Sequence, residues 1–322
     1  MLAVSRFNIA LLAVLCAVGA PAVFAQDRYP SKPIRVVNPN SAVSSQALFT
    51  RILMKTLEPH FGQSVVIDSR PGGNSTIGVV AVLKSPPDGY TLLVTTSTPL
   101  VGARAFLKNI PYDPINDVTG VIVAYNSAFV MMVRNEEKGT TFAQLLEKMR
   151  RDPDKYALGG TSPTTMLLNT MLASAANLKH VYVPYITSIP QIADLLGGRI
   201  GVMFHAPNLS LPMVRGNQAH AMAVGGNRRM KPLPNTPTMS ETLPGVELSY
   251  WLGYFAPAKT PKAIIDYLHP AFVEALKHPE AIEYMENSGS ILTMPPEQIH
   301  DFMVKEDARW LRLTREAGIK PE

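Results

Sequence analysis

The chain runs to 322 residues with 30 lysines and arginines against 25 aspartates and glutamates, a formal charge of +5, and a single cysteine. That excess is small and spread out, with Arg150–Arg151 and Arg228–Arg229 as its densest pairs, so no nucleic-acid surface is indicated and only a mild preference for anionic solutes follows. One thiol excludes a disulfide framework and thiolate metal sites, which leaves burial to stabilise the fold.

Residues 1–25 read as a secretory signal: Arg6 precedes an apolar run from Ile9 to Val18, and Val23 and Ala25 flank a cleavage point. The run is far short of the roughly 20 residues a membrane-spanning helix needs. Cys16 lies within it behind Leu15, where a lipoprotein signal wants a small residue. Export with cleavage near Ala25 is therefore expected, and what remains is long enough for one large or two ordinary α/β domains.

From Ile34 onward, short β-branched runs alternate with helical patterns. Ile34–Val37 is expected as a strand, followed by a helix near Ala47–Phe61, the strand Val65–Ile67, a helix near Thr76–Leu83 and the strand Thr91–Val94. After Phe129–Val133 the pattern restarts, with Phe142–Arg150 helical, Tyr156–Leu158 extended, Thr164–Asn177 helical, Val181–Val183 extended and Ile189–Leu196 helical; Val202–Phe204 and Ala221–Val224 complete a second sheet. Such alternation predicts two α/β units with parallel sheets and crossover helices. From Pro261 the chain is mostly helical, with Ile264, Ile265, Leu268, Phe272 and Leu276 at helix spacing. We place this tail back on the first unit, with chain crossings near Ala124–Ser127 and Ser249–Leu252. The expected division is residues 26–125 with 251–322 as one lobe and 126–250 as the other.

Ligands of open α/β sheets collect at strand carboxyl ends, where helix N-termini aim free N–H groups and partial positive charge at a cleft. Two loops qualify. Asn38–Gln46 contains Asn40, Ser41, Ser44 and Ser45, with Ser44 or Ser45 as helix N-cap. Gly159–Thr165 offers Thr161 or Ser162 as cap, Pro163 for the first helical turn, and Thr164 and Thr165 beyond it. Either loop alone reads as ordinary capping. Their mirrored positions point to a carboxylate held between two helix starts, with each charge-assisted bond worth about 1.5–3 kcal/mol. Asp68–Ser75 is glycine-rich but reads as a tight turn capped by Ser75. His205, after the strand Gly201–Phe204, either points into a cleft or is an ordinary loop histidine. No histidine pair has metal-ligand spacing, and no nucleophile-elbow, zincin, Walker or dinucleotide fingerprint occurs, so neither an enzyme, a metal nor a cofactor is expected.

The motifs Tyr29-Pro-Ser-Lys-Pro-Ile-Arg35, Arg70-Pro-Gly-Gly73, Pro86-Pro-Asp-Gly-Tyr90, Pro111-Tyr-Asp-Pro114, Val183-Pro-Tyr185, Leu195-Leu-Gly-Gly198, Pro237-Thr238, Trp251 through Pro257 and Ala317-Gly-Ile-Lys320 stand in an order that resembles the tripartite tricarboxylate transporter receptors, also called Bug proteins, over essentially the whole mature chain. The resemblance implies a type II periplasmic binding protein fold, two α/β lobes with an interlobe ligand cleft and two hinge crossings. It implies a periplasmic receptor that closes on a small carboxylate and serves inner-membrane transporter subunits, or in some members a sensor protein. By the same resemblance the carboxylate is held by Asn40–Ala47 and Gly159–Thr165, with support from Thr96–Thr98 and so from Ser97.

Departures from the family fall in these loops. Where the family usually has Pro-Pro-Gly-Gly-Gly-Thr/Ser-Asp, this chain has Ser41, Ala42, Val43, Ser44, Ser45, Gln46 and Ala47, so positive φ is less accessible and close ligand approach is harder. Ala47 replaces the carboxylate that pairs with an amino-acid ammonium, which disfavours an amino acid as ligand. The second loop is about two residues shorter than is usual in the family, and His205 stands where the family often has Asp. We expect a neutral or anionic ligand whose polar groups meet the hydroxyls of Ser44, Ser45, Thr161, Ser162 and Thr165; a ligand-presenting sensory protein with an altered site is the alternative.

Overall fold

In the computed structural model, residues 29–321 are described. The expected leader and Cys16 lie outside them.

The chain opens with β1 (Ile34–Asn38), α1 (Ser45–Phe61), β2 (Val65–Ser69), α2 (Thr76–Leu83), β3 (Thr91–Thr96), the short α3 (Ala103–Phe106) and a long β4 (Val118–Ala128). It continues through β5 (Val130–Arg134), α4 (Phe142–Arg151), β6 (Leu158–Gly160), α5 (Pro163–Ala175), β7 (Tyr182–Pro184), α6 (Ser188–Leu196), β8 (Val202–His205), α7 (Pro207–Arg215) and β9 (Ala219–Val224). It returns as β10 (Ser249–Pro257), α8 (Lys262–Leu276), α9 (Pro279–Ser288), β11 (Gly289–Met294) and α10 (Pro296–Glu316). The strands form a six-stranded sheet of order β11-β4-β10-β3-β1-β2 and a five-stranded sheet of order β7-β6-β8-β5-β9.

Helices cover both faces of the first sheet, which is why its central strands are apolar on both sides rather than alternating. On one face Phe49, Leu53 and Leu57 of α1 meet Phe272 of α8 and Tyr254 of β10; on the other Val79 of α2 and Trp310 of α10 meet Trp251 and Phe255. Two mid-sheet strands were not legible as such. The segments expected as crossings are strand: β4 and β10 pair from Val118↔Pro257 to Ala128↔Ser249. The tail, expected to be mostly helical, also contains β11, an edge strand antiparallel to β4.

Only Phe129 separates β4 from β5, so the chain leaves one sheet and enters the other within a single residue. The return passes the same point: Gly225 N–H donates to Phe129 O at 2.8 Å, and Leu248 N–H donates to Gly225 O at 2.6 Å. The junction fixes where the strand ends point. Leu252, early in β10, lies opposite Thr96, so the carboxyl ends of the parallel β1, β2 and β3 lie on the junction edge. In the second sheet Val130 lies opposite His205, which puts the carboxyl ends of β8 and its parallel neighbours β6 and β7 on that edge too. Both sheets thus present the edge at which α/β folds bind ligands.

Candidate functional site

Asn38, the last residue of β1, is fully buried and organises the first loop. Its side-chain NH2 lies 3.1 Å from Asn40 O, 3.0 Å from Ser41 O, 3.1 Å from Ser44 Oγ and 3.2 Å from Ser69 Oγ, while its Oδ1 accepts from Asn40 N–H at 3.2 Å. Ser44 is the N-cap of α1 and accepts from Ala47 N–H at 3.4 Å. Capping leaves the N–H groups of Ser45 and Gln46 without an intrahelical acceptor, since the first turn of any helix has none. Ser45 Oγ donates to Gln46 Oε1 at 3.1 Å. Ser75 does not cap α2: it adopts φ 74, makes no side-chain cap bond, and donates from Oγ to Asn40 Oδ1 at 3.4 Å, which ties the glycine turn to the first loop.

Ser162 caps α5 in a reciprocal capping box with Thr165. The Thr165 hydroxyl accepts from Thr161 N–H at 3.1 Å and Ser162 N–H at 3.0 Å and reaches Ser162 O at 2.9 Å, so it is committed to its own loop. Of the hydroxyls expected to meet a ligand, those of Ser44, Ser45, Ser162 and Thr165 therefore serve the loops internally. What the two helix starts offer outward is chiefly backbone N–H, of Ser45 and Gln46 at α1 but of Thr164 alone at α5, where Pro163 has none and Thr165 N–H serves the cap, together with the positive end of the helix dipole.

Thr98, just after β3, and Thr164, in the first turn of α5, share a 2.6 Å hydroxyl–hydroxyl bond. This joins the Thr96–Thr98 loop of the first sheet to the Gly159–Thr165 loop of the second. Beside it Ser97 is fully buried, its N–H donating to Trp251 O at 3.1 Å and its Oγ unpartnered. His205 is 7% exposed with neither ring nitrogen hydrogen-bonded, and burial pushes its pKa down to about 4, so the imidazole is neutral near pH 7. Its side chain leaves β8 on the same face as that of Met203, since side chains alternate along a strand.

Sequence reasoning did not single out Asn38, although an Asx residue closing a strand before a Pro-Asn loop is a turn-forming signal. Two surface depressions lie away from these loops. One of about 20 Å³ is lined by Asn126, Ser127, Arg228 and Gly289 at the junction. The other, about 410 Å³, lies beside α4, where Lys148 Nζ and Tyr156 OH both donate to Glu137, at 2.7 Å and 2.6 Å, an internally satisfied cluster. The strand-end loops, with helix-start donors from both sheets, remain the better candidate site on chemical grounds. Among the described residues no group of three or more His, Cys, Asp or Glu side chains is placed to hold a metal, and no helix is long and apolar enough to cross a membrane.

Residues 49–319 match the family described as Tripartite tricarboxylate transporter family receptor. The chain is 32% identical over 293 residues to the UPF0065 protein in the tcbD-tcbE intergenic region of Pseudomonas sp. (strain P51), covering 89% of this chain and 87% of that one. The fold is similar to R. palustris Rpa4515 with adipate (TM-score 0.83, 27% identity, 91% of this chain and 100% of that one). It is also similar to the periplasmic binding protein BugD (TM-score 0.82, 26% identity, again 91% and 100%).

Proposed function

The chain belongs to the tripartite tricarboxylate transporter family receptors, and from that premise we propose that it is a periplasmic solute-binding receptor that captures a small organic acid between two α/β lobes and presents it to inner-membrane transporter subunits. The first lobe carries the six-stranded sheet, up to Ala128 and again from Ser249, and the second carries the five-stranded sheet from Val130 to Val224, the two hinged where Phe129, Gly225 and Leu248 meet. Adipate in the R. palustris neighbour supports a carboxylate as ligand.

The observation that carries this reading is the Thr98–Thr164 bond at the shared strand-end edge, with a capped helix start on either side of it. An acid group placed there meets donors from both lobes only when they are closed, so its binding shifts the population toward the closed form. The transporter then reads that shape. Neutral His205 in place of a carboxylate removes a repulsive charge from the same edge.

Calorimetric titration of the exported chain with aliphatic dicarboxylates, citrate, aromatic acids and amino acids, alongside small-angle scattering, tests the proposal. One or more acids should bind with contraction of the particle, and glutamate and aspartate should not be the tight ligands. Absence of binding across the panel would remove the receptor role.

A further inference from the structure

We infer that the acid this chain takes is a monocarboxylate with a bulky apolar body, aryl or medium-chain alkyl, rather than a short di- or tricarboxylate. The inference rests on the carboxylate-receptor reading above and concerns the ligand's remainder rather than its acid group.

The four most exposed large apolar side chains among the described residues are Ile186 at 98%, Ile189 at 81%, Val43 at 74% and Ile77 at 55%. All four lie on the strand-end edge. Val43 is in the loop from β1 to α1, and Ile77 is the second residue of α2, just after β2; Ile186 is in the loop from β7 to α6, and Ile189 is the second residue of α6. Each sheet thus contributes two. Singly exposed aliphatic residues are ordinary on any surface, and the remaining exposed ones here, such as Val66, Ile282 and Val304, are scattered over strands and helices away from the edge. Concentration of the extreme cases around one edge marks a surface kept apolar for something that covers it.

The same edge is almost free of formal charge. The segments 38–47, 96–103, 159–165 and 184–189 contain no Lys, Arg, Asp or Glu. Arg70, after β2, has its Nε 2.8 Å from Asp68 Oδ2 and so is already paired; Arg228, after β9, lies by β11, at the opposite ends of the two sheets from β2 and β7 and so away from Ile77, Ile186 and Ile189, and donates to Gly289 O at 3.4 Å. Helix-start N–H groups suffice for one carboxylate. A second or third carboxylate would shed its hydration against Ile, Val and neutral hydroxyls with no opposite charge to meet it, which is costly. An apolar body instead removes the four aliphatic side chains from water, which is favourable in proportion to the area covered.

Titration calorimetry of the exported chain with phenylacetate, octanoate, adipate and citrate tests this, repeated on Ile186→Ser, Ile189→Ser and, as a control on the outer helix α10, Val304→Ser. Phenylacetate or octanoate should bind at least about tenfold more tightly than adipate or citrate. Either isoleucine substitution should weaken that binding by about tenfold, and Val304→Ser should leave it unchanged. Adipate or citrate as the tightest ligand overturns the inference while leaving the receptor role standing. Tight binding of an apolar acid that both isoleucine substitutions leave intact also overturns it, and assigns those side chains to contacts between lobes or with the transporter. Binding of none of the four, with the wider panel also silent, overturns the receptor role itself.

Discussion

Thr98 and Thr164 meet hydroxyl to hydroxyl at 2.6 Å, which makes the end of β3 and the start of α5 neighbours although they belong to different sheets. Replacing either by valine keeps the shape and removes the bond. Each of Thr98→Val and Thr164→Val should cost about 1 kcal/mol in urea unfolding, and the double variant should cost less than the sum, because the second change removes nothing further. Additive losses would mean that the two hydroxyls do not act as a pair.

Asn38 holds the first loop through one buried amide, so Asn38→Leu, similar in size, leaves Asn40 N–H without its acceptor and Asn40 O without its side-chain donor, and Ser44 Oγ with Ala47 N–H as its remaining partner. A loss of about 1–3 kcal/mol is expected from the unsatisfied groups alone. Affinity for the acid should fall with it, since the cap of α1 is positioned by the same amide. Thermal unfolding and calorimetry on one preparation check both. Full affinity in a destabilised variant would separate Asn38 from the site.

Helix α2, expected over Thr76–Leu83, has those bounds in the structure, and β8 extends the expected strand by one residue, because strong apolar runs there end in Gly or Pro punctuation. The strand expected over Tyr156–Leu158 is instead Leu158–Gly160, since pairing with β7 and β8 runs through two glycines that have poor strand propensity of their own. A side chain at Gly159 would come within 2.6 Å of Ile200, so close packing, invisible in propensity, decides that position. β4 escaped notice because its neighbours β10 and β11 arrive from more than a hundred residues later in the chain, and long-range pairing leaves no local signature. Capping was legible only to within two residues, Ser44 or Ser45 and Thr161 or Ser162, because residue type before a helix marks a cap without fixing its position; the caps are Ser44 and Ser162. The commitment of Thr165 to its own loop, and the approach of Thr98 to Thr164, follow only from three-dimensional placement.

Gly78 links α2 to the first loop. A β-carbon there would lie 2.7 Å from both Cα and Cβ of Pro39 and 3.0 Å from Arg70 O. Pro39 stands between Asn38 and Asn40, so Gly78→Ala must push the loop or tilt the helix, at about 1–3 kcal/mol for overpacking. Ligand affinity should drop along with the melting temperature. A Gly78→Ala protein with unchanged melting and affinity would show that the loop yields freely and is not held in place by α2.

His205 makes stability depend on pH in a definite direction. Its folded pKa is depressed to about 4 by burial, against an ordinary value of 6.5, so between those values the unfolded chain binds the proton and the folded chain does not. Stability is therefore complete above pH 6.5 and declines as the pH falls toward 4. His205→Gln removes that proton from both states and should flatten the decline across this window. Urea midpoints at intervals between pH 7 and about 4 for both proteins test it. The half-buried His220, also shifted down by burial, contributes equally to the two curves and drops out of the difference. Parallel curves would place His205 in contact with water or a partner that accommodates its charge, and would remove the neutral imidazole from the strand-end edge.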